Sequence, residues 1–155
     1  MKELLEYRQK LLEKLLSTVE EFRQASLAVQ DPSQPLEAAG WTAHQLAVHV
    51  RDVDKLVYGR RARRTAQEEK PRFESFDADA HMTQHYDSSE SLTDILDELD
   101  KSIQDLVAFL RSLPNEDWAR QSWHSTLGSD LTLQSWVERS LAHLQEHLQT
   151  LKNFS

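Results

Sequence analysis

Three glycines and four prolines are all that interrupt this chain of 155 residues. That scarcity constrains the fold more than any other feature. Breakers mark turns and strand ends, so their absence over long stretches predicts long helices. The periodicity agrees. Leu4, Leu5, Leu11, Leu12, Leu15, Leu16, Val19 and Phe22 fall on one broad face of a helix over about residues 3–28, at about 100° per residue. Asp31-Pro32-Ser33-Gln34-Pro35 ends it. Thr42 and Gln45 form a capping box, with Trp41 and Leu46 as a hydrophobic staple. They open a second helix that runs to about residue 66, with an inward stripe of Leu46, His49, Val50, Val53, Leu56 and Val57. A third helix over about 89–113 carries Leu92, Leu96, Leu99, Ile103, Leu106, Leu110 and Leu113 in the 4-3-4-3 spacing of a left-handed bundle seam. Pro114 stops it. A fourth, over about 132–152, is capped by Thr132, with Leu131 and Trp136 as its staple. Its core residues are Leu133, Trp136, Val137, Leu144, Leu148 and Leu151. No stretch alternates as a strand should. The expectation is an all-α four-helix bundle in one domain spanning 1–155. The links at 67–88 and 114–131 are long enough to let neighbouring helices run parallel.

Composition narrows the chemistry. There are no cysteines, which excludes disulfides, Cys-type zinc sites, iron–sulfur clusters and a Cys nucleophile. Lys and Arg number 18 against 26 Asp and Glu, a net charge of −8. An acidic protein repels phosphate backbones, so nucleic acid is not an expected partner. The run Gly59-Arg60-Arg61-Ala62-Arg63-Arg64 reads instead as a solvated helix end paired with the acidic stretch 87–105. Mean hydropathy is −0.65, and no apolar run reaches the roughly 18–20 residues of a membrane span. The leucines of the first residues are broken by charges, unlike a signal peptide. The expected address is the cytoplasm.

The seven histidines carry the chemistry. Helical phase puts His44 opposite the apolar stripe, in solvent. His49 points inward. His143 and His147, one turn apart, flank the core stripe of the last helix on one side. Imidazoles at i and i+4 can reach one ion at about 2.0–2.1 Å. His49 would be a third ligand from a facing helix. Three neutral imidazoles suit zinc, nickel, iron or copper better than magnesium or calcium, and three protein ligands leave a position open for chemistry. The alternative is a set of core-edge histidines bonded to neighbours. His143-Leu144-Gln145-Glu146-His147 is not the HExxH of metalloproteases, and no histidine follows a glutamate by three residues as di-iron bundles require.

These residues carry a family likeness. Gly40-Trp41-Thr42-Ala43-His44-Gln45-Leu46-Ala47-Val48-His49-Val50-Arg51-Asp52 resembles the second-helix signature of the DinB/YfiT-like superfamily. His143 and His147 match that family's last-helix HxxxH. Phe76-Asp77-Ala78-Asp79-Ala80 and the segment Trp123-His124 through Thr132-Leu133 resemble its linking segments. The resemblance implies up-down-down-up topology and one divalent metal (zinc, nickel or iron) on His49, His143 and His147. It also implies a homodimer. The implied activities are transfer of a low-molecular-weight thiol to a small-molecule substrate, or metal-dependent hydrolysis. The competing class is a non-enzymatic bundle that binds a metal or ligand. Glu146 departs from the family pattern, which often places a histidine there. In such a site the metal acts as a Lewis acid and lowers the pKa of a water or thiol. The thiol must come from a cosubstrate, because the chain has none. Asp52, one turn beyond His49, is a candidate to orient a ligand imidazole, or a solvated helix-edge carboxylate. His124 is the other candidate behind the ligands. It lies with His81, His85, Tyr86 and Asp77 in the long links, where substrate groups often sit.

Overall fold

The first helix, α1 (Lys2–Ala28), turns Leu11, Leu12, Leu15, Val19 and Phe22 fully inward. In the computed structural model, which describes residues 1–37 and 40–154, the second helix begins at the expected cap. The Thr42 hydroxyl accepts from the Gln45 N–H (3.0 Å), and the Gln45 side chain accepts from the Thr42 N–H (2.9 Å). This helix, α2 (Ala43–Val53), passes through one π-helical turn (Asp54–Tyr58) into α3 (Gly59–Gln67) without a break. The π turn is closed by the Gly59 N–H on the Asp54 carbonyl, five residues back. One extra residue in a turn rotates everything after it by about 100°. Gly59 is required for space rather than for conformational freedom. Its φ is an ordinary −63°, but a Cβ there would lie 2.8 Å from the Asp54 carbonyl oxygen.

The chain continues through β1 (Arg72–Phe73), α4 (Ala78–His85) and α5 (Leu92–Ser112). The last of these starts about three residues later than its periodicity suggests. Asp87 holds the Ser89 N–H and hydroxyl in a turn outside the helix, and Ser91 caps it instead. A 3-10 turn (Asn115–Ala119), β2 (Gln121–His124) and β3 (Gly128–Thr132) lead into α6 (Leu133–Phe154). The Thr132 hydroxyl caps α6 by accepting from the Ser135 N–H at 3.1 Å.

Residue pairs give the helix directions. Arg8 meets Gln134 and Glu21 meets Lys152, so α1 and α6 run parallel. Arg23 meets Asp97 while Arg8 reaches the Asn115 carbonyl, so α1 and α5 are antiparallel. Asp54 meets Ser102 and Arg63 lies over Phe109, so α2–α3 and α5 are parallel. His49 meets His147 and Arg61 meets Trp136, so α2–α3 and α6 are antiparallel. The order is up-down-down-up. The shared core is built from the inward faces of all four long segments.

The strictly all-α expectation needs correction. The two long links meet as a three-stranded sheet in the order β1-β2-β3, parallel then antiparallel. Its strands have two, four and five residues, too few for alternation to register. The hairpin turns over residues 125–127, and within β3 Gly128 (φ 88°) and Asp130 (φ 69°) take positive φ. The first is in the left-handed region that glycine tolerates best. Among the described residues no helix is long and apolar enough to cross a membrane.

Candidate metal centre

His49 comes from the middle of α2. His143 and His147 are successive turns of α6, which runs antiparallel beside it. Their geometry follows from the helix period: residues four apart share a face, and the facing helix presents its own inward residue between them. His143 Nε2 lies 3.1 Å from His49 Nε2 and 3.1 Å from His147 Nε2. One nitrogen from each ring lies within 4.8 Å of the others. Ligands at about 2.0–2.1 Å on a tetrahedral ion stand about 3.4 Å apart, so the spacing is that of a three-point metal cradle. Hydrogen bonding fits less well. A ring nitrogen carries one proton or one lone pair, and His143 Nε2 faces two other ring nitrogens. The donor set therefore suits a divalent cation.

Electrostatics keep these rings neutral. Burial pulls His49 down to about 4, with the neighbouring His147 adding to the shift and Asp52 opposing it. Burial and the other two rings pull His143 to about 3. Burial also lowers His147. Neutral imidazole is the form that binds metal. Trp41 packs against His49 at 4.6 Å between ring centres, and Tyr58 against His143 at 5.4 Å. Burial raises the Tyr58 hydroxyl above its ordinary value, so it stays a donor at neutral pH. A cavity of about 270 Å³ opens beside His147, walled by Leu36, Trp41, Leu46 and Thr150.

The other sequence candidates lie elsewhere. Asp52 binds none of the three rings; its carboxylate accepts from Arg51 (3.0 Å) and pairs with His81 (3.1 Å). Because α4 fills the link above α2, His81 reaches Asp52 first. His85 stacks on His81 and its ring nitrogen bonds the His81 carbonyl. Asp77 caps α4. His124 is buried in the sheet. Its Nδ1 accepts from the Thr126 and Leu127 N–H groups (3.1 and 3.2 Å), fixing the hairpin. His44 is not solvated. It is buried, with Nδ1 on the Tyr86 hydroxyl and Nε2 on the Glu90 carbonyl, each at 2.6 Å. The segment after α4 covers the helix face that phase alone assigns to water.

The basic run also differs from expectation. Arg64 pairs with Glu68, Arg63 lies over Phe109, and Arg61 is buried over Trp136. The acidic stretch is met instead by Arg51, which pairs with Glu90, and by Arg23 on Asp97. The cause is the π turn. A straight helix would put Arg61 about 120° from His49; the extra residue brings it within about 20°. Tyr58 is carried toward α6 by the same rotation. Both were invisible to phase analysis, and the one available signal was a glycine inside a helical pattern.

The fold and the cluster define a class: a four-helix bundle with three histidines converging from two antiparallel helices. The model of the DinB superfamily matches residues 10–151, and the chain belongs to that superfamily. Among solved structures it is similar to YfiT from Bacillus subtilis, with 23% identity and a TM-score of 0.86, covering 97% of this chain and 86% of that one. That protein is described as a probable metal-dependent hydrolase with an unusual four-helix bundle topology. No curated protein sequence matches the chain.

Proposed function

We propose that the protein is an enzyme acting on a small molecule at one divalent transition metal (zinc, nickel or iron) held by His49, His143 and His147. The observation that supports this reading is the convergence of three neutral ring nitrogens, one on a buried and two on half-buried histidines, within 4.8 Å. When bound, such a metal polarises a substrate and lowers the pKa of a nucleophile beside it. The chain's own residues do the rest. Trp41 and Leu46 exclude water from one side of the rings and offer an apolar wall to the substrate. Tyr58, protonated and half-buried beside His143, offers a hydroxyl that can donate a hydrogen bond.

A thiol nucleophile must come from a cosubstrate, since the chain has no cysteine. A low-molecular-weight thiol as cosubstrate makes the protein a thiol S-transferase. A second reading, metal-dependent hydrolysis, is favoured by the description of the YfiT structure. A homodimer and a cytoplasmic address belong to the same proposal.

The test is turnover of small electrophiles and esters by metal-loaded protein, with and without cysteine or glutathione. Thiol-dependent turnover that a chelator reduces by about a thousandfold or more supports the transferase. Turnover without thiol moves the assignment to a hydrolase. Full metal loading with no turnover in either arm contradicts both and leaves a binding bundle.

A further inference from the structure

We propose that Arg61 and Arg139 form a subsite for the anionic group, a carboxylate or phosphate, of the molecule that reacts at the histidine cluster. This rests on reading that cluster as a reaction centre. Arg61 is only 9% exposed. Its guanidinium lies 4.9 Å from the Trp136 ring centre and 5.6 Å from that of Phe73, and it donates one hydrogen bond, to the Glu74 carbonyl at 2.8 Å. The Arg139 guanidinium lies 5.9 Å from the same Trp136 ring centre. Among the described residues neither has a carboxylate within ion-pair distance. Arg51, the other well-buried arginine of this segment, pairs with both Asp52 and Glu90.

Two cations within about 6 Å of one indole centre, one of them buried, carry a desolvation and repulsion cost that the ring contacts and the single hydrogen bond offset only in part. Burial and Arg139 both weaken the hold of Arg61 on its proton. An anion between them would remove that cost. Most of the ten N–H donors of the two side chains are unused, and a guanidinium fork matches carboxylate and phosphate oxygens in pairs. The place is right for a substrate. Arg139 stands one turn before His143 on α6, about 6 Å along the same face. Tyr58, which touches His143, lies in the field of both arginines and of Glu146. His124 feels both arginines and Glu74. The π turn is what brings Arg61 to this face.

The subsite can be tested without turnover. Metal-free protein, held in chelator so that no ion can take up the anion, is titrated with inorganic phosphate and, separately, acetate. The readout is the Trp136 indole N–H resonance, which lies beside both guanidiniums and donates to the Ser122 hydroxyl at 2.8 Å. The proposal expects a saturable shift with at least one of the two anions. Arg139→Ala, at an exposed position, should weaken binding about tenfold. Arg61→Lys should weaken it too. Arg60→Ala, exposed on the same helix, should leave it unchanged. No saturable shift with either anion, or an unchanged midpoint in Arg139→Ala, would overturn the subsite. Metal uptake is measured in parallel. Retained metal with no anion binding rejects the subsite alone; anion binding without metal uptake keeps the subsite and rejects the metal centre.

Discussion

Asp54 shows how one side chain can work against the fold that holds it. It is 3% exposed, its Oδ2 accepts from Ser102 at 2.8 Å, and its Oδ1 has no partner. Burial pushes its carboxyl up to about 6, opposed by the Ser102 hydrogen bond and by Arg63. The ordinary value is 3.8. Between those two values the native state binds more protons than the unfolded chain. The contribution of a protonated Asp54 is therefore fully present below pH 3.8 and is lost as pH rises through about 6. Asp54→Asn should remove that component. Urea denaturation of both proteins at pH 4 and pH 8 reads it: the change in stability between the two pH values should differ by about 2–3 kcal/mol between wild type and variant. Equal changes would contradict it. Residues such as Asp54 and His44 mark the limit of reading single positions from sequence. Asp54 has an ordinary helical neighbourhood in the chain, and the partners of His44, Tyr86 and Glu90, lie more than forty residues away.

At the scale of elements, the helices with strong local signals were legible and the rest was not. The capping box at Thr42 and the cap at Thr132 are local hydrogen bonds, so the sequence alone locates them. The leucine seam of α5 buries as its spacing demands. The sheet escaped because strands this short owe their pairing to distant partners, not to their own pattern. The π turn escaped because it is a one-residue insertion in a pattern that otherwise continues. It has a consequence that can be measured. At an ordinary helix site Gly→Ala stabilises by about 1 kcal/mol. At Gly59 the new methyl would meet the Asp54 carbonyl at 2.8 Å, and relief means closing the π turn and rotating Tyr58 and Arg61 away from α6. Gly59→Ala should therefore destabilise by about 1–3 kcal/mol, read as a lower urea midpoint. An equal or higher midpoint would show that the turn does not need its glycine.

At the scale of the whole molecule, topology makes the site. Up-down-down-up order sets α2 antiparallel to α6, so one inward histidine of α2 faces two successive turns of α6. The three positions were legible because helical phase fixes which way a residue points. Their convergence was expected on the same ground, since His49 is the inward histidine of another helix, and the family likeness added the topology that makes those helices neighbours. The supporting residues were legible least, because Asp52 and His124 are claimed by α4 and the hairpin, which no periodicity announces. The central claim is that this convergence binds metal. Its most direct test is metal analysis of the purified protein beside His49→Ala and His143→Ala, with helicity followed by circular dichroism. The account predicts about one transition metal per chain, lost in both variants while the helical signal persists. Protein that carries no metal, and takes up none on titration, would contradict it.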